Sequence, residues 1–328
     1  MASSEQDIIE RFFRPLAGPE GLGFLDDVAL LRPQAGFDLI VTTDMISEGM
    51  DFLDDPPEAI AAKALRINLS DVCAKGGEPI GYVMSVGLPG DVTEEWLTAF
   101  AKGLAADQER YSVWLYGGDT NRVADGVVIS VTAIGRVPGG EVVPRTGARP
   151  GDVVVVSGTI GDAALGLLVR RGTLAVSEEA RTHLLQRLHY PDPPLALGPV
   201  LRRRATAAMD ISDGLAGDLG KLCLASGVSA QIDVAKVPLS AAARAAVASD
   251  SALLETALTG GEDFEILATL PEDTLADFLA AAQSAGVAVT EIGRITRGKE
   301  APIFLDGDGN AMTFAQASYD HFAGNISS

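Results

Sequence analysis

Residues 137–152 read VPGGEVVPRTGARPGD, a stretch where proline and glycine interrupt any helical or strand period between two segments of similar character. On its amino-terminal side, apolar runs at 39–43, 80–88, 113–116 and 127–135 alternate with helical stretches. On its carboxy-terminal side, VVVVSGTIGDAALGLLVRRG reads as strand, glycine turn and helix, and further strands are expected near Ala207, Phe264 and Val287. The pattern predicts an α/β (α+β) chain of two domains, residues 1–140 and 141–328, as suits a length beyond one ordinary domain.

The strongest helical signal covers 58–74, entered through Pro56 and Pro57 and stopped by Gly76 and Gly77. At about 100° per residue, Lys63, Arg66 and Ser70 form a polar wedge, whereas Asp71 projects between Ile60, Ala64 and Ile67, toward protein. An ionised carboxylate in that position needs a donor network, a basic neighbour or a metal. A structural hydrogen-bonded Asp and a ligand are equally good readings of this residue alone.

Other aspartates are expected where strands stop: Asp44 closes LIVTTD, Asp119 follows VWLYGG, and Asp210 and Asp213 lie in MDISDGL. Strand ends are where open α/β sheets bind ligands. Asp26 and Asp27 in LDDVAL add two more carboxylates. Singly, each is an ordinary turn or cap residue. Together they form a set of hard oxygen donors that suits magnesium, which keeps several waters and shares its coordination with phosphates.

Charge balance points the same way. Twenty-five Lys and Arg against 45 Asp and Glu give a net charge of −20, which argues against nucleic acid and anionic membranes as partners. Divalent cations held by carboxylates can still recruit phosphates that the chain alone would repel. The sequence has no GxxxxGK[ST] loop, no HRD or DFG element, no HExxH and no GxSxG. His183, His189 and His321 therefore read as structural or surface residues.

Cys73 and Cys223 lack metal-binding spacing and read as reduced thiols. MASSEQDIIERFF lacks the regions of a signal peptide, and no run approaches the ~20 apolar residues of a membrane span, so a cytoplasmic location is expected. GPEGLG at 18–23 reads as a flexible turn rather than a phosphate cradle, because it follows a helix. Arg145 is a candidate phosphate contact, with a solvated loop arginine as an equally good reading. DGDGN at 306–310 lacks the Gly and Glu of a calcium loop and reads as a hairpin turn. In GGEDFEIL at 260–267, Glu262 and Asp263 are either solvated turn residues or cleft-lining ones.

Taken in order, LDDVALL, TTDMISEGMDF, NLSDVCAKGG, YGGDTN, SGTIGDAALGL, MDISDGLAGDL, GGEDFEIL and YDHF resemble the thiamine-monophosphate kinase family from near residue 8 to residue 322. The resemblance implies a PurM-like architecture, a homodimer formed largely through the amino-terminal domains, and ATP-dependent conversion of thiamine monophosphate to thiamine diphosphate. It implies magnesium ligands at Asp27, Thr42, Thr43, Asp44, Asp71, Asp119, Asp210 and Asp213. ATP contacts are implied at Gly118, Asp119, Arg145 and Ser212, and substrate contacts at Asp51, Glu262 and Tyr319. The chain departs from the family at Leu25, where Gly is common, and at Asp51, where His is common. Rival readings are another PurM-like ATP-dependent activating enzyme and a non-catalytic nucleotide- or metal-binding regulator.

Overall fold

A computed structural model describes residues 4–318. The chain divides into two compact units: residues up to Cys73 with Gly77–Val142, and Ala74–Gly76 with residues from Val143 onward. No helix among the described residues is long and apolar enough to cross a membrane.

The first unit opens with a short helix α1 (Glu5–Ile8), whose Ser4 and Asp7 form a reciprocal capping box. It continues through β1 (Phe37–Ser47), α2 (Pro57–Ala74), β2 (Glu78–Leu88), α3 (Glu94–Tyr111), β3 (Trp114–Arg122) and β4 (Val128–Pro138). The sheet order is β1-β4-β2-β3, antiparallel except for the parallel β2–β3 pair. The predicted helix is present with the expected ends: Glu58 occupies the first turn, and Gly76 adopts φ +73 just beyond the last.

Burial of α2 differs from the amphipathic expectation. Residues 61–70 are all buried, including Lys63, Arg66 and Ser70 of the polar wedge. The sheet covers one side, and α3 covers another through a two-pronged Arg66–Asp107 pair at 2.6 and 2.7 Å. Lys63 Nζ donates to the Asp51 carbonyl oxygen at 2.6 Å. Paired in this way, buried charges avoid the cost of isolated ones.

The second unit runs β5 (Val153–Ser157), α4 (Asp162–Arg170), α5 (Glu178–His189), α6 (Gly198–Leu201), β6 (Ala207–Asp210), α7 (Leu215–Ser226), β7 (Ser229–Asp233), α8 (Ala241–Ser249), α9 (Leu253–Thr259), β8 (Ile266–Leu270), α10 (Leu275–Ser284), β9 (Val289–Thr296) and β10 (Ile303–Leu305). Its sheet order is β10-β7-β9-β5-β8-β6, with only the β10–β7 pair parallel. Every residue of β5, β6 and β8 is buried, as expected for strands covered on both faces. Leu215, Leu219, Leu222 and Cys223 of α7 pack into that core. Both cysteines are buried, and burial pushes the Cys223 thiol up to about 11. The 306–310 segment is the expected tight turn: Asp306 N donates to the Asn310 carbonyl oxygen, and Leu305 bridges Ala311.

Candidate nucleotide and phosphate site

In the first unit, the strand-end expectation fails for two aspartates. Asp44 lies inside β1, which continues to Ser47, and Asp119 lies inside β3, opposite Ser85. Backbone pairing explains the difference, because β4 matches the polar TTD segment residue for residue: Thr42 faces Ala133, Thr43 faces Thr132 and Asp44 faces Val131. Strand alternation then divides the set between two faces. Thr42 and Asp44 lie on the α2 side, where Thr42 Oγ1 donates to Asp71 Oδ2 at 2.5 Å. Asp71 is only partly buried, more open than the ten residues before it, and the Asp44 amide donates to Asn68 Oδ1 at 3.0 Å. Thr43 lies on the opposite face, donating to the Val131 carbonyl oxygen at 3.1 Å and accepting from Thr132. The register Thr43–Thr132–Val83–Gly117 carries that face across to Asp119.

Gly118 and Asp119 border a cavity of about 320 Å³ that also takes in Asp26 and Asp27. Its apolar wall includes Phe13, Phe24 and Met84. A Cβ at position 118 would strike the Met84 carbonyl oxygen, so glycine is required for the two strands to approach there. The 18–23 segment, read as a turn, is a 3₁₀ turn joined to β3 by the Gly18 amide, which donates to the Leu115 carbonyl oxygen at 2.8 Å. Leu22, Gly23 and Phe24 take positive φ, which brings Gly21 and Phe24 to the cavity wall. Asp51 has a local use: its carboxylate accepts from Ser47 N at 2.7 Å and from Ser47 Oγ at 3.2 Å, closing the turn after β1.

In the second unit, Asp210 is the buried last residue of β6, and the following loop carries Ser212 and Asp213. Arg145 lies on an exposed segment running beside β6, where the Pro144 carbonyl oxygen accepts from Ala208 N at 2.9 Å. The 211–214 loop is shaped by Asp218, a residue absent from the expected set. One Asp218 oxygen accepts from both Ser212 N and Asp213 N at 2.9 Å, and the other accepts from Lys221 at 2.8 Å. Lys221 also pairs with Asp213. Burial pushes the Asp218 carboxyl up, opposed by Lys221, while the Lys221 ammonium is held up by its two carboxylates against its own partial burial.

In the GGED segment Gly260, Gly261 and Glu262 are partly exposed, whereas Asp263 is buried, so the two carboxylates differ in their surroundings. Asp263 is buried and accepts from Gly161 N at 2.7 Å, at the start of α4. Glu265 is buried between Ser157 Oγ at 2.5 Å and Arg187 at 2.7 Å. Both carboxyls are pushed up by burial, Asp263 well above its ordinary value. Their spacing from Glu262 gives no hint of this, because the partners come from 76 to 108 residues away. His183 is exposed beside Asp162, in keeping with a surface role. Tyr319 and His321 lie outside the described residues.

Among the described residues, no three His, Cys, Asp or Glu side chains converge into a preformed metal cluster. The donor set nonetheless fits magnesium, because that ion needs only one or two protein carboxylates when waters and phosphate oxygens complete its shell. Thr42 with Asp71 and Asp44, and Asp27 with Asp119, offer oxygen donors of that kind.

The AIR synthase related protein N-terminal domain matches residues 25–137, and its C-terminal domain counterpart matches residues 149–306. The thiamine-monophosphate kinase of Salmonella typhimurium is 40% identical, covering 98% of this chain and 99% of its own. The crystal structure of thiamine-monophosphate kinase from Stenotrophomonas maltophilia superposes with TM-score 0.83 at 36% identity, over 95% of this chain and 99% of that one. A solved AaThiL structure complexed with AMPPCP and TMP superposes with TM-score 0.77 at 32% identity, over 98% of this chain and 99% of that one. Similarity of this extent, carried through both domains in a single order, means that the chain belongs to the thiamine-monophosphate kinase family.

Proposed function

We infer that the protein transfers the γ-phosphoryl group of ATP to thiamine monophosphate, yielding ADP and thiamine diphosphate. The observation that carries this reading is near-full-length similarity to thiamine-monophosphate kinases, one relative having been solved with AMPPCP and TMP. The cavity beside Gly118 and Asp119, with one acidic rim and one aromatic wall, supports a nucleotide site in residues 1–140. Arg145 and Ser212 are the proposed ATP contacts of residues 141–328. Glu262 and Tyr319 are proposed to meet thiamine monophosphate. Asp51 is the weakest of these contacts, because its carboxylate already closes a turn.

The acceptor oxygen needs no strong base, since the second pKa of a phosphate monoester is about 6. The task is to hold two mutually repelling phosphates in line, which places the burden on positioning. Asp27, Thr42, Thr43, Asp44, Asp71, Asp119, Asp210 and Asp213 are the proposed holders of magnesium, which when bound would neutralise charge on the phosphate oxygens. Thr42 fixes Asp71 through its hydroxyl, and Asp218 with Lys221 fixes the loop of Ser212 and Asp213. Arg145, with its planar fork of donors, would orient a phosphate. A homodimer through the amino-terminal unit and a cytosolic location complete the proposal.

The test is direct. Purified protein with ATP, magnesium and thiamine monophosphate should form thiamine diphosphate and ADP in equal amounts by chromatography. ATP turnover that depends on a different small acceptor would favour another PurM-like activating enzyme, and absence of turnover would favour a regulator.

A further inference from the structure

Two loops of the second unit, one carrying Ser212 and Asp213 and the other carrying Glu262, are joined along their backbones. Glu262 N donates to the Ser212 carbonyl oxygen, Phe264 N donates to that of Ile211, and Ile211 N donates to that of Glu265, each at 2.8 Å. Glycine makes the seam possible, because a Cβ on Gly261 would run into the Ser212 carbonyl oxygen. Glu262 and Phe264 take φ of +74° and +51°, conformations that side chains other than glycine rarely adopt and that persist only where the surroundings enforce them.

The surroundings do so from both sides. Beneath 211–214, the fully buried Asp218 carboxylate accepts two consecutive loop amides and is neutralised by Lys221. Beneath 260–265, Asp263 takes the Gly161 amide, and Glu265 is pinned by Ser157 and Arg187. Neither Asp218 nor Asp263 reaches the solvent-facing side of its loop, so neither is placed to touch a ligand.

We propose that the 211–214 and 260–265 loops form one rigid double loop, in which Asp218 and Asp263 are positioning residues, so that the groups meeting ATP and the groups meeting thiamine monophosphate are set together. Building both on one braced element keeps donor and acceptor phosphates in a fixed relation, which in-line transfer requires. The proposal rests on the function inferred above. Its distinguishing consequence is that a change under one loop alters the binding of both substrates, whereas a change to a contact side chain alters one.

The test compares Michaelis constants for ATP and thiamine monophosphate, together with the calorimetric affinity for AMPPCP, in the full-length protein and four variants. Gly261→Ala drives a wedge into the seam, and Asp218→Ala removes the brace beneath 211–214. Each should raise both Michaelis constants at least about fivefold and weaken AMPPCP by a similar factor, with circular dichroism showing a folded chain. Asp218→Asn keeps an oxygen for both amides but gives up the Lys221 contact, so it should raise both constants less than Asp218→Ala does. Glu262→Gln should raise the constant for thiamine monophosphate alone. If Gly261→Ala leaves the ATP constant and AMPPCP affinity within twofold of wild type, or Asp218→Ala leaves that for thiamine monophosphate unchanged, the double loop is refuted. Should Asp218→Ala fail to fold, Gly261→Ala decides the question. A wild-type protein without thiamine diphosphate formation would instead refute the functional reading.

Discussion

Asp71 shows how one side chain can be legible in type but not in surroundings. Helical periodicity places it away from the Lys63, Arg66 and Ser70 wedge, and its carboxylate does meet a protein donor, Thr42 Oγ1. Periodicity cannot reveal that the wedge itself is covered, because Arg66 finds Asp107 on a helix 41 residues away. Asp71 is left as the more open position at the carboxy-terminal end of α2, as a metal ligand must be. Asp71→Asn keeps an oxygen for Thr42, so its stability cost should be no more than about 1 kcal/mol. Magnesium-dependent turnover should fall on the order of 100-fold, the usual loss for one preorganised electrostatic group. Steady-state kinetics across magnesium concentrations, alongside a thermal melt, checks both. Near-normal turnover at limiting magnesium would remove Asp71 from the ligand set.

At the scale of elements, strand alternation and helix stops are readable from sequence, whereas the braces between turns are not. The GGED turn and the start of α4 illustrate this, because Asp263 is an apparent turn residue whose carboxylate is buried against Gly161. Asp44 and Asp119 illustrate it again: polar residues suggest strand ends, yet partner strands carry β1 and β3 past them. Burial pushes the Asp263 carboxyl well up, with the Gly161 amide and Arg187 opposing and Asp162 and Glu265 reinforcing. A raised folded-state value means that proton binding favours the fold. That contribution is complete below the unfolded value of about 3.9 and is lost as pH rises through the folded one. The melting-temperature advantage of wild type over Asp263→Asn should therefore shrink as pH rises above about 4. An advantage that grows with pH would mean Asp263 is held ionised in the fold.

For the whole molecule, the two-part α/β pattern, the carboxylate-rich composition and the ordered motifs make the fold class and the family readable, while sheet order and strand direction depend on long-range pairing. Both sheets are mainly antiparallel, so the proposed ligands lie on strand faces and loops rather than at a switch point of parallel strands. The outer face of β1 leaves Val41 65% and Met45 64% exposed, an apolar edge that suits a second copy of the chain. If the proposed homodimer forms through this face, Val41→Asp should shift sedimentation from dimer to monomer, and an unchanged dimer would exclude this face from the interface. The central claim is direct transfer between two phosphates. Phosphorus NMR of a reaction started with ATP bearing ¹⁸O in its γ-phosphoryl group tests it most directly. The isotope-shifted resonance should appear at the terminal phosphorus of thiamine diphosphate, with unlabelled ADP as co-product. Label found only in inorganic phosphate, or unlabelled thiamine diphosphate formed alongside AMP, would contradict the account.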